Sequence, residues 1–137
     1  MKYDFITSPE YLEIAREILG EFHYRADTVG TIAIFDDNTE FQAVVLWTGY
    51  CPTDIEVHVA SVSPKWATPK TIRLLCTYPF TELGVRRVSA QVDPDNTRSI
   101  SLIERMGFKL EGEKRNYNED GTSKMQYGMT KHECRWL

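Results

Sequence analysis

Glu56 and His58 stand two residues apart in the run Ile55-Glu56-Val57-His58-Val59-Ala60. In an extended segment that spacing puts both side chains on one face. A carboxylate beside an imidazole can take a proton from an incoming nucleophile, directly or through water. The imidazole's ordinary pKa lies near neutrality, which favours His58 as the base. The competing reading is a sheet histidine whose nitrogens are satisfied within the fold. Just downstream, Ser63-Pro64-Lys65-Trp66-Ala67-Thr68-Pro69-Lys70 leads into a stretch with helical periodicity. A helix start fed by a strand offers free amides and the positive end of a dipole, and both favour an anion. The backbone of Trp66, Ala67, Thr68, Lys70 and Thr71 supplies the candidate donors, and Lys65 and Lys70 add charge. Most such turns hold nothing, and Trp66 reads first as a hydrophobic cover over the helix start. Asn96 and Ser99 form a third group at the head of a short helical stretch, where Asn96 is an N-cap and Ser99 lies one turn on.

These groups need elements to position them. Ser8 caps a first helix, Pro9 suits its first position and Gly20 is placed to end it. Segments 29–35 and 41–47 are rich in β-branched and aromatic residues, with Asp36-Asp37-Asn38-Thr39 as the turn between them. Segment 55–62 is a third strand, with Ile55, Val57 and Val59 on one side and Glu56, His58 and Ala60 on the other. Ile72, Leu75, Cys76, Phe80 and Leu83 mark a helix over 69–83, capped by Thr68 and kinked by Pro79. A strand over 87–92, a helix over 96–106 closed by Gly107, and a hairpin of 108–114 with 123–131 complete the chain. One mixed α+β domain over 1–137 accounts for this order.

Composition narrows the function classes. The chain has 137 residues, 42% of them hydrophobic, enough for one buried core. A net charge of -4 gives no general attraction to nucleic acid or anionic lipid. Nothing in it reads as a membrane span or a leader. The cysteines, Cys51, Cys76 and Cys134, are odd in number and form no CxxC, so neither a disulfide framework nor a metal site is expected. A reducing cytoplasm is the natural setting.

Residues 78–115 carry a family resemblance. Phe80-Thr81-Glu82-Leu83-Gly84-Val85, the strand after it, Asn96-x-x-Ser99 and Glu104-x-x-Gly107-Phe108-x-x-Glu111-Gly112 resemble the acetyl-CoA-binding half of GNAT acetyltransferases. Within that family the segment is similar to the ribosomal-protein alanine acetyltransferases. His58-Val59-Ala60, Pro64-x-Trp66-x-Thr68 and the ending Tyr127-Gly128-Met129 resemble a small subgroup common in phages and prophages. The family's pyrophosphate loop reads Arg/Gln-x-x-Gly-x-Gly/Ala, whereas 63–70 here contains no glycine. Glycines let amides approach a phosphate closely, so their loss weakens or moves that contact.

The resemblance implies a GNAT fold, a mixed central sheet with helices on both faces, and acetyl transfer from acetyl-CoA to an amine acceptor, without a metal. It implies that two central strands splay, that the pantetheine arm lies in the gap against backbone at Ala60, Ser61 and Val62, and that the pyrophosphate meets the amides from Trp66 to Thr71. Asn96 would lie beside that arm, and Ser99 would return a proton to the departing thiolate. Glu56 and His58 would serve as bases. Arg98 and Arg105 would meet the adenosine 3′-phosphate. The tyrosine acid many members carry is replaced here by Ile103, with Tyr117 and Tyr127 as substitutes only if folding brings one close. The expected partners are the acceptor and, optionally, a second copy of the chain, in the cytoplasm, that of the host if phage-encoded. The rival reading is a GNAT-fold binding or structural module of phage origin that has lost turnover.

Overall fold

Every residue from Gln42 to Thr48 is buried, so the strand that holds them is covered on both faces. The computed structural model describes residues 1–19 and 30–137. Its strands are β1 (Lys2–Asp4), β2 (Gly30–Phe35), β3 (Phe41–Cys51), β4 (Asp54–Ser61), β5 (Arg87–Val92), β6 (Lys109–Lys114) and β7 (Lys124–Thr130). They form a seven-stranded sheet in the order β1-β2-β3-β4-β5-β7-β6. All neighbours run antiparallel except β4 and β5. Among the described residues three α-helices accompany the sheet, α1 (Pro9–Leu19), α2 (Pro69–Thr77) and α3 (Thr97–Met106).

The side-chain period of two divides the core. Val44, Leu46 and Ala60 face α1 and meet Ala15. Val45, Trp47 and Ile55 face the other way and join Ile72 and Leu75 of α2 and Met106 of α3. The mixed α+β sheet with helices on both faces is therefore the one the sequence implies. Ser8 caps α1, its Oγ accepting from the Glu10 amide at 3.2 Å. Gly20 and Val29, expected at the end of that helix and the start of β2, lie outside the described residues.

Three elements depart from expectation. β1 was not anticipated, because three residues show no alternation; it pairs with β2 through Tyr3↔Ile34. β3 continues past Trp47 to Cys51, with Gly49 at φ 62 inside an irregularity between Thr48 and Cys51. Gly49 bends the strand there instead of ending it, since only glycine adopts that backbone freely. The helix expected over 69–83 is α-helical only to Thr77, and Tyr78–Leu83 forms a wider π turn. Pro79 has no N–H and its ring crowds the preceding turn, so the chain widens while Phe80 stays buried.

On the sheet face away from α2, a polar cluster spans β4, β5 and β6. Ser89 donates to Asp54 at 2.8 Å, and the Arg87 guanidinium pairs with Asp54 at 3.4 Å and donates to Glu111 at 2.9 Å. The guanidinium and carboxylate lie directly over Gly128, where any Cβ would strike both. The C-terminus is tied down as well, with Trp136 donating to the Met106 carbonyl at 3.0 Å.

Phe80→Ala is expected to lower unfolding free energy by about 3–5 kcal/mol in urea titration, because the ring is 1% exposed at the heart of the larger core. Glu133, paired with Lys109 and bonded by Thr130, has its carboxyl pKa lowered to about 2. A lowered folded-state value means that its contribution is complete above the unfolded carboxylate range and is lost as pH falls through about 2. Carboxyl NMR titration checks this, a midpoint in the ordinary glutamate range being the contrary result.

Candidate functional site

β4 and β5 pair over only Asp54↔Arg87, Ile55↔Val88 and Glu56↔Ser89. Beyond that point β4 continues to Ser61 on β3 alone, and β5 continues to Val92 on β7 alone. The two strands separate, and residues 57–61 and 90–92 lose the neighbour that would take their inner-edge backbone groups. Groups of that kind demand partners. A cleft of about 550 Å³ occupies the gap, within the range of small-molecule sites.

Glu56, His58, Ser61, Val62, Trp66, Ala67, Asn96 and Ser99 all line this cleft. The other sequence candidates lie elsewhere. Ala60 is buried on the α1 face, Thr71 is fully buried, and Thr68, Lys65 and Lys70 border the helix start without lining the cleft. Asn96 caps α3, its side chain accepting from the Ser99 amide at 3.2 Å. Arg98 and Arg105 also face the cleft.

The turn before α2 differs from the expected bank of open amides. The Val62 amide donates to Gln42 at 3.0 Å, Lys65 to the Ser63 hydroxyl at 3.2 Å, Ala67 to Pro64 at 3.3 Å and Thr68 to Trp66 at 2.9 Å. Thr68 caps α2 by accepting from the Thr71 amide at 3.2 Å, and Tyr3 Oη lies 2.7 Å from the Thr71 hydroxyl. Pro64 and Pro69 carry no N–H. At Ala67, Thr68 and Thr71 the grip expected for a pyrophosphate is therefore already used by the chain. Pro64–Trp66 winds into a 3₁₀ turn whose bonds consume the amides that glycines would have left open. Trp66 does not plug the cleft; it is 4% exposed and belongs to the core beneath it.

Glu56 and His58 share the α1 face of β4. The His58 Nε2 lies 3.7 Å from a Glu56 carboxylate oxygen and 2.9 Å from the Thr48 hydroxyl. Thr48 was not among the sequence candidates. It sits opposite Glu56 in the β3–β4 register, a relation that only the strand pairing reveals.

Ile103 lines the cleft where many family members carry a tyrosine. Tyr117 reaches the cleft from the loop before β7, while Tyr127 is buried and donates to Glu104 at 3.1 Å. Burial and that bond raise the Tyr127 pKa. Burial also pushes the Cys76 thiol up, with Cys134 beside it adding to the effect. A protonated thiol is a poor nucleophile, so Cys76 serves the cleft as apolar wall. Among the described residues no cluster of His, Cys, Asp or Glu could hold a metal, and no helix is long and apolar enough to cross a membrane.

Residues 1–109 match the model of the acetyltransferase (GNAT) domain. An uncharacterized N-acetyltransferase p20 of Bacillus licheniformis is 38% identical over 50 residues, covering 36% of this chain and 28% of that protein. The chain thus matches less than a third of that relative's length. A spermidine N-acetyltransferase SpeG chimera from Vibrio cholerae and hSSAT superposes with a TM-score of 0.75 at 14% identity, covering 95% of this chain and 96% of the other. A GNAT-family acetyltransferase of Bacillus anthracis superposes at 0.64 with 18% identity, covering 75% and 67%. At such identities the superpositions speak for the fold.

Asn96→Ala should destabilise the fold by about 0.5–2 kcal/mol, the ordinary effect of removing such a cap. Asn96→Ser, which can still accept from the amide, should recover most of that in the same urea titration; equal losses for both would deny the cap its role.

Proposed function

The chain belongs to the GNAT acetyltransferase family, and we propose that it transfers an acetyl group from acetyl-CoA to a primary amine. The observation that carries this reading is the break in β4–β5 pairing after Glu56 and Ser89. It leaves two backbone edges without each other as partners, and an extended arm rich in amides suits such a gap. Acetyl-CoA supplies a thioester whose carbonyl is open to attack by an amine.

In this reading Ser61, Val62 and the opposing edge of β5 hold the arm, with Asn96 and Ser99 at the head of α3 beside it. The diphosphate relies less on backbone than in a glycine-rich loop. Lys65 and Lys70 at the exposed rim and Arg98 on α3 supply positive charge instead. The Glu56–His58 pair takes the proton that the amine must lose, and Ser99 hands one to the departing thiolate. Positioning in the cleft contributes alongside proton transfer. The sequence likeness to ribosomal-protein alanine acetyltransferases and to a phage-type subgroup rests on motifs alone. Spermidine is named for the superposed Vibrio cholerae enzymes; a cationic amine suits this chain too, since Asp93, Asp95 and Asp120 gather near the cleft mouth with Lys124 as the cation among them. The self-bonded turn before α2 favours one second reading, a module that binds the donor without turnover.

Calorimetric titration with acetyl-CoA and desulfo-CoA, followed by CoA release against an amine panel, tests both readings. Saturable binding with release supports the transferase, binding without release supports the module, and absence of heat and thermal shift overturns both. His58→Gln should lower kcat by about 10²–10⁴-fold while leaving donor binding intact, the usual range for a lost general base.

A further inference from the structure

The cleft does not stop at the last pair of the β4–β5 ladder. Leu75, Cys76, Phe80, Val88, Phe108 and Met129 line it, yet each is at most 5% exposed and belongs to the larger core. Side chains covered so completely reach a cleft only where it runs down into the core. Strand register places this part of it. Val88 stands across from Ile55 on one side and from Met129 on the other, and that row precedes the final β4–β5 pair, Glu56↔Ser89. The cleft therefore continues past the break, under the paired end of the seam on the α2 face.

The two sides of the sheet differ in chemistry here. Glu56 and His58 alternate with Ala60 onto the α1 face, whereas the six deep residues pack on the α2 face. None of the six carries a charged or amide side chain, and Cys76 acts among them as a small apolar group. Such a wall offers no partner to a hydrated group and favours hydrocarbon. A thioester carbon bears the sulfur on one side and the acyl chain on the other. With the pantetheine arm in the open end of the cleft, the chain has the deep end to enter.

We infer that this deep end is an acyl-chain recess, and that the protein takes CoA thioesters whose unbranched acyl group is longer than acetyl. The inference rests on the transferase reading and adds to it the class of acyl group. An acetyl methyl meets only the top of such a wall. Each further methylene leaves water for contact with it, and the gain is hydrophobic and dispersive. Cys76 is the smallest of the six side chains, so its position is the one at which added bulk would shorten the recess.

The test is calorimetric titration of the full chain with CoA, acetyl-CoA, propionyl-CoA and butyryl-CoA. The Kd should fall about three- to fourfold for each added methylene, which makes butyryl-CoA roughly tenfold tighter than acetyl-CoA. The heat-capacity change of binding should grow more negative along the same series. In Cys76→Leu the butyryl-to-acetyl affinity ratio should collapse toward one. Butyryl-CoA binding no more tightly than acetyl-CoA overturns the inference, as does an undiminished ratio in a folded Cys76→Leu variant. The wild-type series decides by itself should that variant not fold. Binding of CoA and acetyl-CoA without any gain from the chain removes the recess and leaves the transferase reading standing. Absence of binding by all four ligands removes the donor site itself.

Discussion

Backbone groups must find partners, and in this molecule β4 and β5 stop supplying them to each other after Glu56 and Ser89. Everything proposed for the cleft follows from that break. Upstream of it, a short parallel ladder fixes the spacing of the two strands. Downstream, the strands diverge, each held by its other neighbour, β3 or β7. The gap opens where α2 and α3 begin, so the ends of two helices and the edges of two strands meet in one place. The same strand that borders the gap presents Glu56 and His58, so the proposed base pair and the proposed donor cleft lie together.

The turn leading to α2 solves its own hydrogen-bonding problem. Ser63, Thr68 and the carbonyls of Pro64 and Trp66 accept from the very amides that a glycine-rich loop would leave open. Thr71 then anchors the helix start to Tyr3, tying the edge strand β1 to α2. Such a turn offers fewer open amides to a phosphate, which in the proposed reading shifts the burden of holding a donor onto the gap and onto cationic side chains. Affinity would then reside more in the strand-like arm than in the nucleotide end.

Much of this was legible beforehand. Helix limits marked by Ser8, Thr68, Asn96 and Gly107 were readable because caps are local chemistry. The alternation along β4 put Glu56 and His58 on one face without any tertiary information. Other features were not accessible from residue order. β1 is too short to show a period, and the π turn at Tyr78–Leu83 needed packing around Phe80 to decide how Pro79 would be absorbed. Thr48 escaped notice because its partners come from strand register, which alternation along a single strand does not specify. That the amides of Lys65, Ala67 and Thr68 find partners within the chain is not legible in residue order, because the 3₁₀ turn at Pro64–Trp66 arises only on folding.

The sheet is in effect two blades, one of four strands and one of three, riveted at one end by Asp54, Ser89, Arg87 and Glu111, the last two lying over Gly128. At the far end of the seam the blades lack ladder hydrogen bonds to each other, since β4 and β5 pair only as far as Glu56 and Ser89. A molecule lodged there completes the sheet and couples the blades, so occupancy would raise resistance to unfolding by mass action beyond any contact it makes at the rim. The rivet sits at the paired end of the seam, where its ion pairs and hydrogen bonds join β4, β5 and β6.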